Sequence, residues 1–208
     1  MNSKIFAFPA VMALLALGLT LTSCASLKPS YPRKSSYVLE VTREGPPSMP
    51  VQGMFLKIRT LRPAPQFDQK GFVYKTEPLT FKSDYYNEFY VSPPALITDE
   101  IKKWVTASGL FEKVLPKESL LEATHTMEGE ILELFGDYTA PDTPQAVMTI
   151  KLVFLEQGTS PPTVLFEKSY RKNPALKTKS VGGLVEAWNE ALEEILTDFE
   201  QDLKTAYF

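Results

Sequence analysis

Cysteine and histidine are nearly missing from this chain: each occurs once in 208 residues, as Cys24 and His125. A single cysteine excludes an intrachain disulfide, and one cysteine with one histidine falls short of any zinc signature. No Gly-x-x-x-x-Gly-Lys-Ser/Thr segment is present, so any ATP hydrolysis linked to this protein would have to occur in a partner. An excess of either charge is missing too. The 22 Lys and Arg and 25 Asp and Glu leave a formal net charge of −3, and the cations are scattered among the acids. No basic face suited to a phosphate backbone follows, and nucleic acid is not an expected partner. Finally, there is no uninterrupted membrane-spanning run. The apolar stretch from Ile5 to Leu21 is broken by Pro9 and Gly18, and its unbroken part falls short of the roughly 20 apolar residues that cross a bilayer core.

What is present begins at the N-terminus. Lys4 precedes the apolar stretch, the charge order of a secretory signal, so residues 1–23 read as a signal peptide. Leu21-Thr22-Ser23-Cys24 resembles a lipobox, in which small residues admit a peptidase and the cysteine thiol accepts a diacylglycerol. Covalent lipid on Cys24 is the expected anchor, and combined acyl chains, at about 0.8 kcal/mol per buried methylene, hold a protein stably on a membrane. Ala25 stands where, by the sorting rule of enteric lipoproteins, any residue but aspartate implies transfer to the outer membrane. The expected location is thus the periplasmic face of a Gram-negative outer membrane.

Residues 24–36 carry Pro29 and Pro32 and no hydrophobic period, and read as a tether. Its reach is at most about 40 Å at about 3.3 Å per residue. Lys28, Arg33 and Lys34 could touch anionic head groups, although a solvated linker is the commoner reason for such charges. Residues 37–208 read as one domain, since the roughly 185 residues left after processing suit a single core. Strands are expected at Tyr37–Val41, Met54–Leu61, Gly71–Lys75 and Leu79–Ser83, then at Thr126–Phe135, Ala146–Leu155 and Thr163–Tyr170. A helix should start at Pro93-Pro94 and stop at Gly109, with Ile97, Ile101, Trp104 and Val105 on its buried side. Leu184, Trp188, Leu192, Ile195, Phe199 and Leu203 recur at helical spacing and predict a long amphipathic helix at the end. The expected fold class is α+β: a mostly antiparallel sheet with both helices packed on one face.

Several segments carry a resemblance. Pro65-Gln66-Phe67-Asp68, followed by Phe72-Val73-Tyr74-Lys75, is similar to a segment of the ABC-type transport auxiliary lipoproteins, the PqiC or YmbA family. Tyr86-Asn87-Glu88-Phe89-Tyr90-Val91-Ser92-Pro93-Pro94, the helix with Ile101-Lys102-Lys103-Trp104, Ser108-Gly109-Leu110-Phe111, Glu128-Gly129-Glu130-Ile131 and Ala187-Trp188-Asn189-Glu190 extend the likeness over nearly all of the mature chain. Lys75 departs from the usual arginine and Phe89 from the frequent tryptophan. The resemblance implies an α/β sandwich like the TolB N-terminal domain. It also implies a non-catalytic outer-membrane component that docks an MCE protein, itself served by an ABC permease and ATPase, for transport of phospholipid or related lipids. A homo-oligomer is a further possibility. The alternative from another class is an envelope lipoprotein acting as an interaction or assembly module without a transport role.

Three sets of residues are candidates for chemistry or binding. His125 lies between threonines at a strand start, where a satisfied edge histidine is commoner than a catalytic one. Glu128 and Glu130 share a strand face about 7 Å apart, a separation compatible with an inverting glycosidase pair but ordinary on the wet side of a sheet. The aromatic cluster of Phe81, Tyr85, Tyr86, Phe89 and Tyr90 is too dense for one strand of period two to bury entirely. Interface and core are both open readings for it, and Tyr85, Tyr86, Phe89, Tyr90 and Val91 are the candidate partner-binding residues.

Replacing the lipid acceptor tests the anchor directly. Cys24→Ala is expected to leave the domain folded but unprocessed or released from membranes, because attachment resides in acyl chains and folding in the core. Membrane fractionation reads the outcome, and a variant that is processed and pellets normally would contradict the lipobox reading.

Overall fold

A computed structural model describes residues 33–207, so Cys24 and the expected signal peptide lie outside the described residues. The chain forms β1 (Ser35–Tyr37), β2 (Val51–Ile58), β3 (Arg62–Pro63), a 3-10 turn (Pro65–Phe67), β4 (Gly71–Glu77) and β5 (Thr80–Phe89). Helix α1 (Pro93–Ser108), β6 (Phe111–Leu115), β7 (His125–Asp137), β8 (Gln145–Glu156), β9 (Thr163–Lys172) and helix α2 (Val181–Tyr207) follow.

The helix boundaries have local causes. Pro93 and Pro94 occupy the first turn of α1, where a missing N–H leaves no bond unmade. Gly109 ends the helix with φ of 68°, a left-handed conformation that glycine adopts without a Cβ penalty. A Cβ there would also lie 2.7 Å from the Ser48 carbonyl oxygen, because the chain leading into β2 packs on this helix end. In α2, Leu184, Trp188, Leu192, Ile195, Phe199 and Leu203 are all buried, as the period predicts. Each such side chain contributes roughly 1.5–3 kcal/mol by leaving water. Among the described residues no helix is long and apolar enough to cross a membrane.

The sheet is mixed, which corrects the expectation of mostly antiparallel pairing. β4 with β5, β7 with β8 and β8 with β9 are antiparallel, while β1 with β5, β2 with β6, and β2, β3 and β4 with β7 are parallel. The turns between the three long strands β7, β8 and β9 do make an antiparallel meander, as their Pro and Gly signals suit. Parallel neighbours elsewhere need long crossovers, and α1 supplies one, carrying the chain from β5 across to β6 beside β2. β7 is the centre of this arrangement. β8 follows one of its edges from His125 to Asp137, so β2, β3 and β4 must share the other edge in succession. The sheet therefore splays into two arms, β2–β6 and β4–β5–β1.

Both helices contribute to one hydrophobic core with the sheet. Trp188 of α2 meets Phe72 edge-on at 5.0 Å and Phe89 at 5.4 Å, while Phe199 packs beside Phe166 and Tyr170. Met127, Ile131, Ile150, Leu152 and Phe154 supply the facing side of β7 and β8. A bulge at Leu132 in β7 shifts the inward alternation, so that Leu134 rather than Glu133 continues the buried row.

The first expected strand is displaced. β1 begins at Ser35, inside the stretch read as tether, and stops at Tyr37. The alternation beyond it is real, since Leu39 is buried, but the backbone there bonds to helix side chains rather than to a strand. Glu40 N–H donates to Asn189 Oδ1 and Val41 N–H to Glu100 Oε2, both at 3.0 Å. Arg43 completes this strap, donating from Nε and Nη2 to the Glu200 carboxylate at 2.7 and 2.8 Å and from Nη1 and Nη2 to backbone carbonyls. Trp104 Nε1 reaches the same carboxylate at 2.9 Å and Lys204 at 2.6 Å. Burial pushes Glu200 up, but the hydrogen bonds from Arg43 and Lys204 outweigh it and hold the carboxyl down at about 2. Strap, α1 and α2 thus meet on one ionised group.

The two tryptophans differ in a way that mutation separates. Trp188 Nε1 is buried with no hydrogen-bond partner, whereas Trp104 Nε1 serves Glu200. Either change to alanine is expected to cost about 3–5 kcal/mol in denaturant unfolding. Trp104→Phe should cost more than Trp188→Phe, by about 1 kcal/mol, because only the first removes a donor from a buried carboxylate. Equal midpoints for the two phenylalanine variants would contradict this account.

Candidate interaction surface

β5 pairs with β4 in two stretches that do not join in register. Gly71 faces Glu88 and Val73 faces Ser83, so residues 84–87 of β5 oppose Phe72 alone. The excess forms a bulge, and Asp84 holds it. Its Oδ1 accepts the backbone N–H of Tyr86 at 2.7 Å and of Asn87 at 3.0 Å. Its Oδ2 accepts the Tyr74 hydroxyl and Asn87 Nδ2, each at 2.8 Å. Burial pushes this carboxyl up, yet the bonds from Asn87, Tyr74 and the backbone prevail and leave it below the ordinary aspartate value. Burial, with the hydrogen bond to Asp84, pushes the Tyr74 hydroxyl far up, so it stays a neutral donor. Gly71 suits the site because a Cβ there would stand 2.7 Å from the Asp84 carbonyl oxygen.

The bulge decides what the aromatic cluster does. In a regular strand Tyr85 and Tyr86 would point to opposite faces. Here both reach solvent, 70% and 42% exposed, with their rings edge-on at 5.2 Å. Tyr90 is 67% exposed, and Val91 and Phe81 are also exposed. Phe89 is not part of this surface: it is buried, 4.6 Å from the Phe72 ring. Its inclusion among the candidate contact residues is therefore corrected. Strand alternation resumes after the bulge and turns Phe89 toward α2. Phe81 lies apart, edge-on to Phe135, which stacks on Phe67 of the 3-10 turn.

The tyrosine rim borders β1. Tyr90 N–H donates to the Tyr37 carbonyl at 2.7 Å, and Lys70 Nζ to the Tyr90 carbonyl at 2.9 Å. Lys34 bridges the rim, its Nζ 4.7 Å above the Tyr85 ring centre and 3.1 Å from Glu88 Oε2. A cation over an aromatic face is worth about 0.5–1 kcal/mol when exposed. No motif announced Lys34 as a partner of Tyr85; the parallel pairing of Ser35 with Asn87 brings them together.

The remaining candidates take structural places. Glu128 and Glu130 project from β7 to Arg59 and Arg62, at 2.6 and 2.8 Å, and with Glu133–Arg171 they form a ladder of ion pairs. His125 stacks on Phe154 at 5.1 Å with Nδ1 2.8 Å from Thr124 Oγ1, and burial lowers its pKa against a weaker upward pull from Glu156. A cleft of about 520 Å³ opens beside the strap and is walled by charged groups, including Arg43, Glu193, Asp198, Glu200 and Lys204. A wider one of about 700 Å³ lies under the loop bearing Leu120 and Leu121.

No protein-family model matches the sequence, and no curated protein matches it. Solved structures do share the fold. Protein XCC0632 from Xanthomonas campestris, of the DUF330 family, is 13% identical and superposes with a TM-score of 0.67 over 79% of this chain and 92% of its own. An uncharacterized protein is 12% identical, with a TM-score of 0.64 over 82% of this chain and 99% of its own. Lipoprotein GNA1162 from Neisseria meningitidis overlaps more weakly, at 8% identity and a TM-score of 0.38 over 69% of this chain and 99% of its own. The neighbours thus include a DUF330 protein and a lipoprotein, and the first two likenesses are of fold.

Removing the Asp84 carboxylate should undo the bulge. Asp84→Ala strands the Tyr74 hydroxyl and the Tyr86 and Asn87 amides, at an expected cost of about 1–3 kcal/mol. Hydrogen exchange at Tyr86 and Asn87 should accelerate in this variant while α2 amides keep their protection. Unchanged exchange at both amides would show that the bulge does not depend on Asp84.

Proposed function

We propose that this protein is a lipid-anchored, non-catalytic component of the bacterial outer membrane that docks an MCE-type conduit for phospholipid or related lipids, with an ABC permease and ATPase on the other side of the envelope. The observation that carries the reading is the combination of a lipobox-like Leu21–Cys24 with the ordered Phe72–Lys75 and Tyr86–Pro94 segments of an auxiliary lipoprotein. The fold shared with the DUF330 protein over 92% of that protein supports it.

The polar sites fit a scaffold. Glu128 and Glu130 each hold an arginine from the chain between β2 and the end of β3, and Glu200 holds the strap. The exposed Tyr85, Tyr86, Tyr90 and Val91 form a contact surface of the domain, open to a protein partner or to the membrane. Aromatic residues are enriched at contact surfaces because one edge of the ring is apolar and the other wet.

Purification of the lipidated protein from its own membranes tests the transport role. An MCE protein, with its permease and ATPase, is expected to copurify and to be encoded nearby. Outer-membrane residence with neither outcome would overturn the transport role and leave an envelope interaction module.

A further inference from the structure

We propose that the tyrosine rim around β1, made by Tyr85, Tyr86 and Tyr90 with Lys34 and Lys70, seats the domain in the headgroup layer of the membrane that holds it. This rests on the reading of Cys24 as the lipid anchor. Three observations converge on the rim.

The first is where the chain arrives. Cys24 is ten residues before Lys34, so the anchor and the rim are joined by at most about 35 Å of backbone. Lys34 itself lies on the rim, over Tyr85. That bound, set by covalent geometry alone, keeps the rim close to the bilayer and raises its effective concentration there. Even a weak surface is then substantially engaged.

The second is residue type. Tyrosine is favoured at the membrane–water boundary, because its ring is apolar and its hydroxyl wet. Three tyrosines border β1, two of them more than two-thirds exposed, and the exposed Val91 adjoins them. Lysine stems can lie along such a surface while their ammonium groups reach phosphate oxygens.

The third is charge. The two carboxylates beside the tyrosines are already occupied. Glu88 is paired with Lys34 at 3.1 Å, and Asp84 is turned inward on Tyr74, Asn87 and two backbone amides. Lys34 is spent on Glu88 in turn, so the cation left for phosphate groups is the exposed Lys70, whose Nζ donates to the Tyr90 carbonyl and has no carboxylate partner among the described residues.

The test uses the full chain, expressed in a host that lipidates it and reconstituted in vesicles of phosphatidylethanolamine and phosphatidylglycerol with a headgroup spin label. Tyr85→Trp and Tyr90→Trp each place a reporter on the rim, and Leu79→Trp places one at the exposed β4–β5 turn. Trp104 and Trp188 are buried and form a constant background. About two-fold quenching is expected for the reporters at 85 and 90, and little change at 79, since tyrosine positions at an interface sit at headgroup level. Intact mass and vesicle sedimentation report the anchor separately. A chain without lipid that fails to sediment overturns the anchor reading, and this inference with it. A lipidated, sedimenting chain quenched no more at 85 and 90 than at 79 overturns the membrane seat alone. If Tyr85→Ala then abolishes capture of a protein partner at unchanged thermal midpoint, the rim belongs to that partner instead.

Discussion

The rest of the structure depends on how the two edges of β7 are divided. β8 pairs along the whole strand on one side, so β2, β3 and β4 must share the opposite edge. Each gets only two or three residues of it, which is too little to keep the strands in one flat sheet. β2 turns away with β6, and β4 turns away with β5 and β1. The two helices fill the concavity this leaves, and a single apolar core joins both arms. Trp188 can touch Phe72 and Phe89 because the β4–β5 arm bends over α2.

The same division places the functional candidates. A short parallel β1 closes the outer side of the β4–β5 arm, at the point where the N-terminal segment enters the described residues. The Asp84 bulge lies beside it, held by four hydrogen bonds to one carboxylate. Bulges near sheet edges re-aim side chains, and this one converts two adjacent tyrosines from an alternating pair into a shared surface. Fold and contact surface are therefore not separate features: the rim exists because β5 is an arm and not a central strand.

Charged groups divide the labour differently. Glu200 sits almost out of water and gathers Arg43, Trp104 and Lys204, so its ionised form locks the strap to both helices. Removing one partner of such a group is costly because the other charge is left desolvated. The ion pairs on the opposite face of β7 are more exposed, where each contributes at most about 1 kcal/mol. They cover the sheet without adding a reactive pair, since every glutamate of the ladder has its own arginine.

Local patterns determined much of this protein. Pro93-Pro94 and Gly109 fixed α1 at both ends, and the apolar spacing from Leu184 to Leu203 fixed α2, because helix signals depend on residues a few positions apart. The long strands β7, β8 and β9 were legible for the same reason, and the excess of aromatics near Tyr85 foretold that some would be exposed. The tertiary structure alone decided the rest. Parallel pairing of β2 with β6 and β7 joins segments more than 50 residues apart, which no local alternation encodes. The two-residue β3 is too short to carry a period, and the alternation of Leu39 and Val41 proved to serve helix side chains instead of a strand. Which aromatics stayed outside was settled by the bulge: Asp84 is one polar residue in the sequence, and only its bonds to Tyr74, Tyr86 and Asn87 turn Phe89 inward and leave Tyr85, Tyr86 and Tyr90 at the surface.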